Sequence, residues 1–279
     1  MDIDVLGALD VRENGVSVAP TAPKPRQVLA LLALHADRVV PVGALIEELW
    51  PATPPRSART TLQTYVLQLR DLIAVALGPA GQDGGPGRRT PKDLLATTPG
   101  GYLLARDGGT SDVRDFERLA GQGYRAMDAG DFAGASRTLG AALDLWSGDA
   151  FADVPAGPQL AMEAKRLGES RLCALDQRIE ADLRLGRHRE VLAELTVLTS
   201  RHPAHENLHA QFMLALHHSG RRGEALAAYQ RLHTTLGRDL GMQPSPRLRR
   251  LRQSVLTAAP EAMPPAVHPL PAARPVPTR

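Results

Sequence analysis

Residues 55–70 read Pro55-Arg56-Ser57-Ala58-Arg59-Thr60-Thr61-Leu62-Gln63-Thr64-Tyr65-Val66-Leu67-Gln68-Leu69-Arg70. A Gly-rich basic loop follows, and then Thr97-Thr98-Pro99-Gly100-Gly101-Tyr102-Leu103-Leu104. Leu62, Val66, Leu69 and Ile73 fall at i, i+4, i+7 and i+11, one narrow helical stripe suited to burial against a core. The other side carries Thr60, Thr64, Gln68 and Asp71, flanked by Thr61, Gln63 and Arg70. Those side chains suit a major groove: Arg forks onto guanine, Gln onto adenine, and Thr meets a base edge or a thymine methyl. Ser57 is an expected N-cap, and the helix dipole at that end favours a phosphate. Between Arg56 and Lys92 stand six cations (Arg56, Arg59, Arg70, Arg88, Arg89, Lys92) against two carboxylates, Asp71 and Asp83. The same helix, taken alone, equally suits a solvated amphipathic surface.

Working outward, the N-terminal segment is β-rich. Ile3 to Val11 alternates loosely, Asn14-Gly15 supplies a tight turn, and Val16-Ser17-Val18 returns. A helix is expected from about Pro25 to Ala36, with Val28, Leu31 and Leu32 on one face and Pro25 in its first turn. A second runs from Val42 to Leu49 and stops near Trp50-Pro51. The polar helix ends near Gly78, and the Gly-rich stretch Gly81–Arg89 reads as a mobile loop. Leu94 to Thr97 and Tyr102 to Leu104 read as strands around Pro99-Gly100-Gly101. Three helices followed by a β-hairpin make a winged helix-turn-helix, an α+β domain assigned to residues 1–106.

The second half is helical and repetitive. Gly130-Asp131-Phe132, Gly186-Arg187-His188 and Gly220-Arg221-Arg222 open similar segments. Gly186 to Gly220 is 34 residues, the period of a tetratricopeptide helix pair, and Gly130 to Gly186 is 56, one period with an insertion of 22. The insertion matches Trp146–Leu167. Each Gly is expected to end a helix in a left-handed cap, and stacked pairs then share a buried seam. The fold class is therefore mainly α with two domains, the winged helix and an all-α tetratricopeptide-like repeat domain over 112–257. Residues 258–279 are Pro-rich and read as a disordered tail or linker. Such a tail suits either the true end of the protein or a chain cut before a further domain.

Specific stretches carry a resemblance. In the first half they are Val5-Leu6-Gly7, Pro25-Arg26-Gln27-Val28-Leu29-Ala30-Leu31-Leu32, Leu45-Ile46-Glu47-Glu48-Leu49-Trp50-Pro51, Leu62 to Arg70, and Gly101-Tyr102. In the second they are Phe116, Leu145-Trp146-Ser147-Gly148, Arg201-His202-Pro203, His209 to Leu216, Ser219-Gly220-Arg221-Arg222, Ala225-Leu226-Ala227-Ala228-Tyr229, and Leu240 to Leu248. On these the chain resembles the Streptomyces antibiotic regulatory proteins over residues 1 to about 257. In that family a response-regulator type of winged helix precedes a bacterial transcriptional activator domain. The resemblance implies an activator of an antibiotic or other secondary-metabolite gene cluster. It implies two molecules on promoter direct repeats about one helical turn apart, and recruitment of RNA polymerase and its sigma factor. By position, Thr60, Thr61, Thr64, Gln68 and Arg70 face bases or nearby phosphates, with Gln63 beside them. Arg56, Arg59 and Lys92 supply phosphate charge, and Lys24 and Arg26 add to it from the first helix. Thr98 represents the wing. Many relatives place Arg there, so the resemblance does not carry their minor-groove contact to this chain.

The composition agrees. The 279-residue chain is 43% hydrophobic but only 4% aromatic, with a formal charge of +3 and a pI near 9.3. Its core must be aliphatic, and DNA affinity must come from a local patch rather than bulk charge. Of its 33 basic residues 30 are Arg, which with the abundant Ala, Gly and Pro suggests a GC-rich genome. The one cysteine, Cys173, excludes an intramolecular disulfide, and its apolar neighbours suggest a buried thiol. The N-terminus is acidic where a signal peptide is basic, and no apolar run reaches the ~20 residues that span a bilayer. A cytoplasmic, nucleoid-associated protein without a cofactor is expected.

Three patterns offer rival readings. His205-Glu206-Asn207-Leu208-His209 matches the zinc-hydrolase motif H-E-x-x-H. It lacks a third ligand at the usual offsets, and Leu208, Phe212 and Leu216 make its helix a buried repeat element. Stoichiometric zinc lost on His205→Ala would favour the enzyme. The Arg cluster at 247, 249, 250 and 252 suits a second DNA or polymerase contact, and suits a solvated helix face better. A repeat-type adaptor with a protein-binding winged helix is the remaining class, and a salt-insensitive partner interaction would mark it. No phosphate loop, nucleophile elbow or paired-carboxylate site is present in the sequence.

Overall fold

The computed structural model describes residues 1–78 and 89–257. Of the loop expected over Gly81–Arg89 only Arg89 is described, and the Pro-rich tail lies outside the described residues. The chain forms two compact units, Met1–Gly186 and the remainder from Arg187.

The first unit opens with an antiparallel sheet of β1 (Asp2–Asp4), β2 (Asp10–Glu13) and β3 (Val16–Ser17). Asn14 and Gly15 take φ of 51° and 78°, the two positive values that this tight turn requires. Three helices follow: α1 (Pro23–Leu34), α2 (Val42–Leu49) and α3 (Ala58–Leu77). A second antiparallel sheet has the order β4 (Val39–Pro41), β6 (Gly101–Leu104), β5 (Leu95–Thr98). The short α4 (Pro91–Leu94) leads into β5, its start closed by reciprocal bonds between Thr90 and Asp93. The expected winged helix is present, with β4 and α4 as elements that the sequence reading did not place.

The predicted stripe of α3 is buried: Leu62, Val66, Leu69 and Ile73 lie in one core with α1 and the sheets. Helix α1 departs from the one-faced expectation, because every residue from Gln27 to Ala33 is buried. A helix apolar all round needs cover on all sides, and α1 has it. Ser57 stands at the N-cap of α3, but its side chain makes no capping bond. Its backbone is already near-helical, with φ −84° and ψ 7°, so the carbonyl, not the hydroxyl, opens the helix.

Beyond the hairpin, the same unit continues through α5 (Asp112–Asp128), α6 (Phe132–Leu143) and α7 (Pro158–Arg184). Phe116 of α5 meets Trp146 edge-on at 5.4 Å, and the Arg171 guanidinium covers the Trp146 ring at 4.9 Å. The segment predicted as an insertion turns back on the N-terminus. Ser147, Phe151 and Ala152 donate backbone N–H groups to the carbonyls of Leu6, Val5 and Gly7, each at 2.9 Å. Asp112 accepts from the N–H groups of Val5 and Leu6, both at 2.6 Å. Burial pushes its carboxyl upward in pKa despite these bonds. The buried Glu48 of α2 accepts from the N–H groups of Gly157, Gln159 and Leu160 at 2.6, 2.8 and 3.2 Å. It thereby caps α7 from another element, satisfying donors that a helix N-terminus leaves open.

The second unit contains α8 (Leu192–Arg201), α9 (Glu206–His218), α10 (Arg222–Thr235) and α11 (Pro246–Thr257). Gly130, Gly186 and Gly220 take φ of 74°, 78° and 79°, the left-handed caps that the spacing predicts. Leu208, Phe212 and Leu216 form the buried side of α9. Cys173 corrects the sequence reading: it is exposed on α7. Of its apolar neighbours Ala174 is buried and Leu172 and Leu175 are half-buried, because this long helix turns Leu167 and Ala174 inward and Cys173 out.

Candidate nucleic-acid interface

The buried stripe of α3 decides what its other side presents. Arg59, Thr60, Gln63, Thr64 and Gln68 are exposed on the helix, and Arg56 is exposed just before it. Thr61 is half-buried. The Thr64 hydroxyl donates to the Thr60 carbonyl at 3.1 Å, which leaves its methyl and an oxygen lone pair facing out. Lys92 is exposed on α4, near the base of the wing. The short hydroxyl, amide and guanidinium groups of these residues are the types that read base edges and bind phosphates.

Four expected contacts are placed differently. Arg70 donates to the Leu95 carbonyl through Nε at 3.0 Å and Nη2 at 2.7 Å, and to the Thr97 hydroxyl at 2.8 Å. Its guanidinium ties α3 to the first strand of the wing. Arg26 donates to the carbonyls of Leu9 and Pro20 and pairs with Asp153, leaving its side chain 16% exposed. Lys24 donates to the Leu49 carbonyl at 2.6 Å with its ammonium 6.0 Å from the Trp50 ring centre. Thr98 is half-buried, its hydroxyl oxygen enclosed without a hydrogen-bond partner, at the last position of β5. In this conformation, Arg26 and Arg70 hold the domain together, and so does Lys24.

The wing tip is set by Pro99-Gly100, with Gly100 at φ 83°. Gly101 lies so close to the β4 backbone that an added Cβ would sit 2.2 Å from the Val40 carbonyl oxygen. The outer face of α3 also holds two groups that sequence reading passed over or left unweighted. Leu67 is 58% exposed, and Asp71 is exposed one turn beyond it. On the helical wheel Asp71 falls between Thr60 and Thr64 and Leu67 between Gln63 and Thr60, and those positions carry the signal that would have found them.

This surface sits in a chain whose parts match known protein families. Residues 17–80 match the model "Transcriptional regulatory protein, C terminal", and residues 111–256 match "Bacterial transcriptional activator domain". The regulatory protein DnrI of Streptomyces peucetius is 54% identical over 260 residues, 93% of each chain. The chain belongs to the Streptomyces antibiotic regulatory protein family. Other relatives of this antibiotic regulatory family are longer. EmbR of Mycobacterium tuberculosis is 38% identical, and the chain spans 64% of it; AfsR of Streptomyces coelicolor is 37% identical, and the chain spans 24% of it. A solved structure of M. tuberculosis EmbR in complex with a low-affinity phosphopeptide aligns with a TM-score of 0.80 over 91% of this chain and 64% of that one. The family consists of transcriptional regulators, not enzymes.

The rival patterns take structural roles within the second unit. His205 caps α9, its Nδ1 accepting from the Leu208 N–H at 3.3 Å. Glu206 accepts from the Ser245 N–H at 2.9 Å, ahead of α11. His209 is buried, and burial, aided by Arg231, lowers its pKa to about 4. The three residues of the H-E-x-x-H motif thus serve as cap, tether and core. Arg252 covers the Tyr229 ring at 5.1 Å and Arg247 donates to Asn207, whereas Arg249 and Arg250 point to solvent.

Proposed function

We propose that this regulator binds promoter DNA in a sequence-specific manner and activates a secondary-metabolite gene cluster, most directly one for an antibiotic. Helix α3 enters the major groove with Thr60, Thr61, Gln63, Thr64 and Gln68 toward base edges. Arg56, Arg59 and Lys92 bind phosphates. Two molecules occupy a direct repeat as a dimer on DNA, in the cytoplasm, and the helical domain meets RNA polymerase and its sigma factor.

The observation that carries this reading is the division of α3 into a buried aliphatic stripe and an exposed Thr/Gln/Arg face. Phosphate contacts give affinity and register, while Gln and Thr contacts give sequence preference. The resemblance to DnrI over nearly the whole length supports the antibiotic context. The test is a footprint of the purified protein on promoters flanking its own gene at two salt concentrations. A protected direct repeat on one side of the helix, lost on Gln68→Ala with Arg59→Ala, is the expected result. No protection at low salt would reject the reading.

A further inference from the structure

Among the exposed residues of α3 up to Gln68, one side chain neither donates, accepts nor carries charge. Leu67 is 58% exposed. It follows Gln63 by four residues and Thr64 by three, so the three share one face, with Gln68 beside them. Lone exposed leucines are common on protein surfaces, so exposure by itself says little; the company is what matters. A leucine among short polar groups on a groove-facing surface has one apolar target on base edges there, the C5 methyl of thymine.

Spacing along the helix fits. Thr60 to Leu67 spans about 10 Å at the helical rise of ~1.5 Å per residue, the length of about three base pairs at ~3.4 Å each. Val75, the other exposed aliphatic residue of α3, stands about 12 Å further along, beyond Asp71. Asp71 lies one turn past Leu67 and carries a charge that repels phosphates, which marks the inner end of the usable face.

We infer that Leu67 is a specificity-determining residue that reads a thymine by covering its methyl group. The inference rests on the assignment of α3 as the groove helix. Its test begins with duplexes that the 279-residue protein selects from random sequence. Each thymine of the selected site is then replaced singly by deoxyuridine, which removes only the methyl. Affinity is measured for wild type, Leu67→Ala and Leu67→Met. At one thymine per half-site the wild type should lose roughly three- to fivefold, the effect of uncovering one methyl. Leu67→Ala should bind the thymine and uracil duplexes equally, and Leu67→Met should regain the difference. Equal sensitivity in wild type and Leu67→Ala, or no sensitive thymine, overturns the assignment of Leu67 while leaving α3 a DNA-reading helix. Failure of the wild type to select any sequence overturns both. A Leu67→Ala loss that is the same on every duplex and vanishes on single half-sites would put Leu67 against a second copy of the chain, and that too overturns it.

Discussion

At the residue scale, cations divide by what they already hold. Arg59 and Arg56 project into solvent, so Arg59→Ala should weaken binding to all sequences alike and lower the salt slope by about one. Gln68→Ala should instead cost ~1–3 kcal/mol on the preferred site and relax one base position, which competition with single-base variants would show. Arg70→Ala should behave as neither. It breaks three bonds that join α3 to the wing, so thermal stability should fall while sequence preference is kept. If Arg70→Ala relaxes a base position and leaves stability unchanged, the guanidinium reads DNA after all. The exposed polar face of α3 was legible in the sequence, because a polar face opposite a buried stripe needs only helical periodicity. Which cations are spent inside was not. Arg70 finds its acceptor 25 residues away and Arg26 its carboxylate 127 residues away, and no local pattern encodes a partner at that range.

At the scale of elements, periodicity and capping carried most of the information. α2 starts and stops where its apolar spacing and Pro51 say, α3 ends at Gly78, and the wing forms around Pro99-Gly100. The α7 start is the element that sequence could not place. Its first turn is fixed by the carboxylate of Glu48 and by the close approach of Gly157, where an added Cβ would lie 2.1 Å from the Glu48 carbonyl oxygen. Glu48→Gln puts an amide donor against N–H donors, and leaving even one of them unpaired costs about 1–3 kcal/mol. Chemical denaturation should register that loss. Gly157→Ala should destabilise in the same assay, since the new methyl would meet the Glu48 backbone, which must shift. An unchanged midpoint for both variants would mean that α7 holds its place by apolar packing alone.

At the scale of the whole molecule, the two-module order was readable from sequence, but not how far the first compact unit extends. That unit runs to Gly186, because α5 to α7 and the 147–153 segment supply partners for Val5 to Leu9. A fragment of residues 1–186 should therefore fold cooperatively, whereas one ending at 110 should lose dispersion in its amide spectrum and resist proteolysis poorly. The second unit has its own sensitivity. An unfolded chain takes up a proton on His209 near pH 6.5, while burial keeps the folded ring neutral down to about pH 4. Stability from this group is complete above pH 6.5, declines as pH falls through that window by up to roughly 3 kcal/mol, and levels off below it. His209→Gln should flatten that acid limb in melts recorded from pH 7 to 4.

The pairing of residues 5–9 with residues 147–153 also bears on how the protein is made. A chain leaves the ribosome N-terminus first, at ~5–20 residues per second. Residues 5–9 therefore wait on the order of ten seconds for their partners, and the α3 surface is exposed on an unfinished scaffold during that time. On the function proposed above, the nascent protein should not hold its promoter until the segment before α7 has emerged. Synthesis itself would then delay the regulator, and chains aborted before that point should be open to proteases rather than compete for the operator.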